Sequence, residues 1–229
     1  MVRTLDSSRS IDNPARNRGR AAAEITFVIL CVLIAEWAII PIYGRRNSVG
    51  MIPIAGVFLF GFFSHRARRE SAREIGFSLN DFLRALRLLV LWMMAGAAVL
   101  VVLGWFMGSL HFTRPKNWST FALGQLSLFT WGLMQQYALQ AIVNRRAQEI
   151  WGKGTPSVIA VALVFAGLHL PNLWLTAATL AGGILWAAVY QRAPNLFALA
   201  LSHSIMTTVL ACSISPAVLH GLRVGYNCF

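Results

Sequence analysis

The feature that most restricts this chain is a succession of apolar runs, each approaching the roughly 20 residues that cross a bilayer as a helix. They cover about 25–40, 49–63, 88–110, 121–143, 156–170, 173–190 and 196–214, with boundaries good to a few residues. Composition agrees: 57% of residues are hydrophobic and only 12% are charged. Soluble domains carry about twice that charged fraction. The expected fold class is all-α, a polytopic helical membrane bundle of about seven spans. No long polar linker divides the chain, so one bundle is expected rather than two domains.

A net charge of +12 invites a nucleic-acid reading, but its distribution argues against one. Arg3, Arg9, Arg16, Arg18 and Arg20 precede the first run, Arg66, Arg68, Arg69 and Arg73 follow the second, and Arg145, Arg146 and Lys153 follow the fourth. Basic residues beside spans set topology and touch anionic headgroups. A nucleic-acid groove needs exposed aromatics interleaved with the cations. No nucleic-acid partner is expected, and the lipid bilayer is. The basic bias puts the N-terminus in the cytoplasm, with Arg45, Arg46, Arg114 and Lys116 on the opposite side. Short polar loops and basic flanks suit a bacterial inner (plasma) membrane.

The chain divides into a polar basic tail, 1–22, expected to be disordered, N-terminal spans with a basic loop, 23–116, a polar-centred segment, 117–214, and a C-terminal tail, 215–229. The first run lacks a small-residue cleavage site and reads as a retained span. Glu70 and Glu74 among their arginines, and Glu149 in its basic loop, read as solvated charge near the headgroups. Asn80–Arg87 reads as an interfacial lead-in with Phe82, Leu83 and Leu86 on one side. Cys31, Cys212 and Cys228 make no C-x-x-C pair, so neither a disulfide framework nor a thiolate zinc site is expected.

Polar groups inside a membrane are costly to desolvate and usually mark a site. Phe165 and His169 are four apart and share a helix face, as do His203 and Thr207. Gln136 and Gln140 have the same spacing, with Gln135 adjacent. Asn172 follows Pro171 in the tight connection between two spans. If these helices pack together, imidazoles and amides converge away from lipid.

Order and spacing here resemble the CPBP family, the type II CAAX prenyl endopeptidases and their abortive-infection-like bacterial relatives. That family carries Glu-Glu-x-x-x-Arg, then Phe-x-x-x-His, then His-x-x-x-Asn on successive helices. This chain has Gln135-Gln136-Tyr137-Ala138-Leu139-Gln140, then Phe165 to His169, then His203 to Thr207. Gly182-Gly183 and Ala200-Leu201-Ser202-His203 look similar too, and the resemblance covers roughly Ala122 to Val209. It implies a membrane bundle with a cavity open to the bilayer and peptide-bond hydrolysis within or at the membrane. The substrate implied is a membrane-anchored or prenylated peptide. The first glutamate of the pair activates water, and the histidines stabilise the oxyanion. His169 and His203 fall on the family histidines, and Gln135 and Gln136 on the glutamates. Gln140 falls on the arginine and Thr207 on the asparagine. Gln140, Phe165, Asn172 and Thr207 are the candidate substrate contacts.

The departures matter chemically. A carboxamide has no basic site near neutral pH, and losing a general base lowers a rate by about 10²–10⁴. Glu36, in the first span, has two open roles: the missing base, or a hydrogen-bonded structural acid near the cavity mouth. A catalytic zinc needs a third protein ligand beyond His169 and His203 and no His-Glu-x-x-His is present, so neither metal nor cofactor is expected. Ser202 and Ser204 point to other helix faces than His203. Three functions remain in view. The chain is a peptidase with altered site chemistry, or a catalytically inactive binder of a membrane segment or lipid-linked peptide, or a transporter or small-molecule channel.

Overall fold

The computed structural model describes residues 14–44, 47–111 and 117–228. All regular secondary structure among the described residues is helical. Helix α1 is Pro14–Ile34 and continues through a π-helical stretch, Ala35–Ile39, and a last turn, Ile40–Tyr43. Then come α2, Met51–Ala67, and α3, Phe82–Phe106. Helix α4, Trp118–Gln136, passes through a π-helical stretch, Tyr137–Asn144, into α5, Arg145–Trp151. Helices α6, Thr155–Gly167, α7, Leu173–Arg192, and α8, Leu196–Ser213, complete the bundle. Counted as continuous rods among the described residues these are seven, as the apolar runs predict. Five are long and apolar enough to cross a membrane: Ala15–Tyr43, Ser48–Ala67, Phe82–Phe106, Leu173–Arg192 and Leu196–Ser213. Thr155–Gly167 is apolar but shorter. The rod from Trp118 carries Gln125, Gln135, Gln136 and Gln140, which lower its hydropathy.

Helix α3 explains why such a chain needs lipid. Only Ala85, Leu89, Met93 and Gly104 are buried, the first three at the four-residue spacing of one helix face. Leu91, Trp92, Met94 and Trp105 are exposed. Exposed apolar surface of this extent belongs against acyl chains. The chain is an integral membrane protein.

Small residues let the rods approach. Helix α4 packs along α8 and α6 along α7. A Cβ on Gly132 would lie 3.3 Å from the Ala200 carbonyl oxygen, and one on Gly183 would lie 3.0 Å from Ala162 Cα. A Cβ on Gly104 would overlap the Ser213 carbonyl oxygen, which is backbone and cannot rotate away. Gly104→Ala is therefore expected to destabilise the bundle by about 1–3 kcal/mol, the range for overpacking. Thermal unfolding in detergent measures it; an unchanged midpoint would mean that α3 slides freely on α8.

Three expectations change. Helix α1 begins at Pro14, where proline suits a first helical position, so residues 14–22 are helical rather than a disordered tail. Ala21, Glu24, Ile25 and Val28 are buried along one face, which gives this turn something to hold. The remaining tail, residues 1–13, lies outside the described residues, as do Arg45, Arg46, Arg114 and Lys116 of the opposite loops. Within Asn80–Arg87, α3 starts at Phe82, and Phe82, Leu83 and Leu86 do not share one environment, since Phe82 and Leu86 are half-buried. Leu83 is exposed while Ala85 is buried.

The largest change concerns charge. Arg146 is fully buried, with its Nε donating to Glu24 (2.6 Å), Nη1 to Glu70 and Glu149 (2.8 and 3.1 Å), and Nη2 to Glu70 and Ser64 (2.9 and 3.1 Å). Arg68 pairs with Glu24 and Glu149, and Arg145 with Glu70. Glu70 is thus a member of a largely buried network joining α1, α2 and α5 rather than solvated headgroup charge, while Glu149, as expected, stays exposed at the rim of that network. Arg146 meets Glu149 within its own helix, but Glu24 and Glu70 reach it only because distant segments fold together. Burial alone would raise the Glu70 carboxyl, but hydrogen bonds from His65, Arg146 and Arg145 hold it well below the usual carboxylate range.

Candidate active site

The packing of α4 on α8 brings the first pair together. Gly132 lies against Ala200 and His203, and one turn later Gln136 Nε2 stands 3.2 Å from His203 Nδ1. With the amide nitrogen turned to the ring it donates, so Nδ1 accepts and the ring proton sits on Nε2. Gln136 is fully buried. Trp186, from α7, stacks on the other side of the imidazole at 4.7 Å between centroids and 13° between planes. Its indole N–H donates to Ser202 Oγ at 2.8 Å. Ser202 is thereby engaged with the tryptophan and with the Leu199 carbonyl. His203 is clamped in one orientation by an amide and an indole.

The second imidazole is held differently. His169 follows the end of α6, and its Nδ1 lies 2.6 Å from the Phe165 carbonyl oxygen. A carbonyl only accepts, so Nδ1 carries the proton and Nε2 keeps a lone pair in the neutral ring. The Phe165 ring lies edge-on to His169 at 4.7 Å and to His203 at 6.1 Å. Phe165 is the wedge between the two histidines.

Gln135, Phe165 and His169 line one small cavity of about 130 Å³, mostly apolar, whose other walls include Phe58, Met134 and Val224. Glu36 lines it as well. The π-helical stretch containing Glu36 lies against the short turn Gly225–Cys228, where a Cβ on Gly225 would meet Glu36 Cβ at 2.8 Å. The structure therefore gathers Gln135, Gln136, Phe165, His169, His203 and Glu36 around one locality.

It separates three others. Gln140 is fully buried, but its Oε1 accepts from Asn144 at 2.7 Å. Asn144 continues to Gln191 and Gln148, and Gln191 to Ser157 and the Gly154 N–H. Asn172 caps α7, accepting from the Leu175 N–H, and its amide donates to the Leu219 and Arg223 carbonyls of the tail. Thr207 is half-buried a turn beyond His203, and its neighbour Thr208 donates to Gln125 at 3.2 Å.

Sequence spacing did not single out Trp186, Ser202, Asn144 or Gln191. A buried indole stacked on an imidazole sixteen positions from its serine partner has no periodic signature. The Gly182-Gly183 segment was the one signal near Trp186, and Gly183 does bring α7 onto α6.

Three buried glutamine side-chain atoms, Gln135 Oε1, Gln136 Oε1 and Gln140 Nε2, have no hydrogen-bond partner among the described residues. Buried polar atoms are nearly always paired, and each exception asks for an explanation. Two of these three are acceptors beside the histidines.

The fold and site together define a helical membrane protein whose polar centre is two oriented imidazoles set against amides. Residues 117–209 match the family model described as Type II CAAX prenyl endopeptidase Rce1-like, so this part of the protein is CAAX-protease-like. No curated protein and no solved structure was found to match the chain.

Proposed function

We propose that the protein holds a membrane segment or lipid-linked peptide at the His169–His203 site without hydrolysing it. The observation that carries this is the pair of unpartnered acceptors, Gln135 Oε1 and Gln136 Oε1, at the positions where hydrolysis needs a carboxylate. An amide oxygen accepts from a peptide N–H, and an amide cannot take a proton from water near neutral pH. The apolar walls suit a lipid-borne chain. Basic flanks of the described spans, Arg66, Arg68, Arg69, Arg145 and Arg146, support a cytoplasmic N-terminus in a plasma membrane.

A second reading has one specific observation in its favour. Glu36 lines the same cavity as Gln135 and His169, which is where a substitute general base belongs. Purified protein in liposomes, given prenylated and unprenylated peptides, separates the two. The expected result is no turnover, with peptide binding weakened about tenfold by His169→Ala, the effect of about one lost hydrogen bond to the ligand. Turnover abolished by His169→Ala, His203→Ala and Glu36→Gln alike would overturn the binding reading and make Glu36 the base.

A further inference from the structure

A second opening lies beside the buried charge network, outside the histidine site. It is a cleft of about 840 Å³ between the end of α2, the loop after it and the start of the π-helical stretch at Tyr137. Phe58, Phe62, Phe77 and Leu133 give it apolar walls, and Phe62 and Phe77 are exposed. Arg66 and Arg69 line it and are exposed.

Its charge is one-sided. The carboxylate in the lining, Glu70, already accepts from Arg145, Arg146 and His65. Nearby Glu74 is turned to the Ser71 N–H and hydroxyl. Arg66 and Arg69 form no ion pair among the described residues. His65, also in the lining and 5% exposed, gives Nδ1 to Glu70 while its Nε2 is buried with no partner. A cleft with greasy walls and unbalanced cations wants a ligand with an apolar chain and a negative head.

The backbone at Arg69 makes the same point. Helix α2 ends in a Schellman motif: the Glu70 N–H donates to the His65 carbonyl and the Arg69 N–H to the Arg66 carbonyl. Arg69 occupies the left-handed position at φ 55°, where glycine avoids the Cβ clash. An arginine at this position lowers stability for local reasons, a cost that an anion bound at its guanidinium would offset.

We propose that this cleft binds an anionic phospholipid, its phosphate held by Arg66 and Arg69 and its acyl chain along Phe58, Phe62 and Phe77. Basic pockets between membrane helices hold such headgroups, and arginine forks match phosphate oxygens. The shared chemistry is a phosphate anion; the apolar walls select the lipid-borne form over the free ion.

Purified protein in a neutral detergent is titrated with phosphatidylglycerol, phosphatidylcholine or inorganic phosphate, followed by native mass spectrometry and thermal unfolding. Phosphatidylglycerol is expected to remain bound and to raise Tm, and the other two are not. Arg66→Gln/Arg69→Gln is expected to weaken phosphatidylglycerol binding at least tenfold. Arg69→Gly is the sharper variant: it relieves the turn, so Tm without lipid rises by about 2–4 °C while lipid binding falls. Equal retention of phosphatidylcholine, or undiminished binding by the double variant, would overturn the proposal. Stabilisation by inorganic phosphate equal to that by phosphatidylglycerol would overturn its lipid part.

Discussion

Arg146→Ala is expected to destabilise the protein by about 3–5 kcal/mol, the loss seen when one partner of a buried ion pair is removed. The guanidinium is fully buried and donates to Glu24, Glu70, Glu149 and Ser64. Alanine removes the fully buried counter-charge that Glu24 and Glu70 share, at 5% and 10% side-chain exposure, and leaves them Arg68 and Arg145, which are more exposed. Chemical unfolding in detergent measures the loss, and a value under about 1 kcal/mol would mean that the network behaves like a surface pair. Acid gives an independent check. The Glu70 carboxyl is held below its ordinary value, so its contribution is fully present above the unfolded pKa of about 4.3 and is lost as pH falls through the folded one. Stability is expected to hold from neutral pH to about 4.3 and to decline below it, and Glu70→Gln is expected to flatten that acid limb.

The second large effect is a gain. If the amides are what silence the site, Gln135→Glu is expected to raise peptide hydrolysis by about 10²–10⁴ over the unaltered protein, the worth of a positioned general base. Gln135 lines the cavity together with His169, so a carboxylate there stands where water can be activated. Gln136→Glu is expected to do less, because Gln136 already serves as a donor to His203. The measurement is cleavage of a prenylated peptide in liposomes, with His203→Ala in the same background as the control. No gain from Gln135→Glu, nor from Gln135→Glu with Gln136→Glu and Gln140→Arg, would show that the cavity lacks more than its base.

The same residues show how far spacing carries. The spacing puts Phe165 and His169 on one face, and a carbonyl–imidazole bond joins them across that interval. Gln136 and Gln140 have the same spacing but serve different partners, His203 and Asn144. Between them begins the π-helical stretch, whose hydrogen bonds run five residues back rather than four, so an α-helical wheel no longer predicts the face. Glu36 sits in a similar stretch, which is why its neighbours were not legible either. The Rce1-like match covers residues 117–209, close to the region where the motif spacing was recognised. The resemblance rests on side-chain order, and a register shift leaves order intact.

What the sequence determined by itself was the number and order of the rods, because apolar run length is a local property and lipid accepts little else than a helix of that length. It also placed imidazoles and amides on three of those rods. Only the tertiary structure decided which of them touch. Trp186 on His203, Glu36 beside Gln135 and His169, and Arg146 between Glu24 and Glu70 are contacts between separate segments of the chain. Charge on a polar loop looks the same in sequence whether it meets water or a buried partner, and the free-energy difference between those fates arises only when the helices close around it.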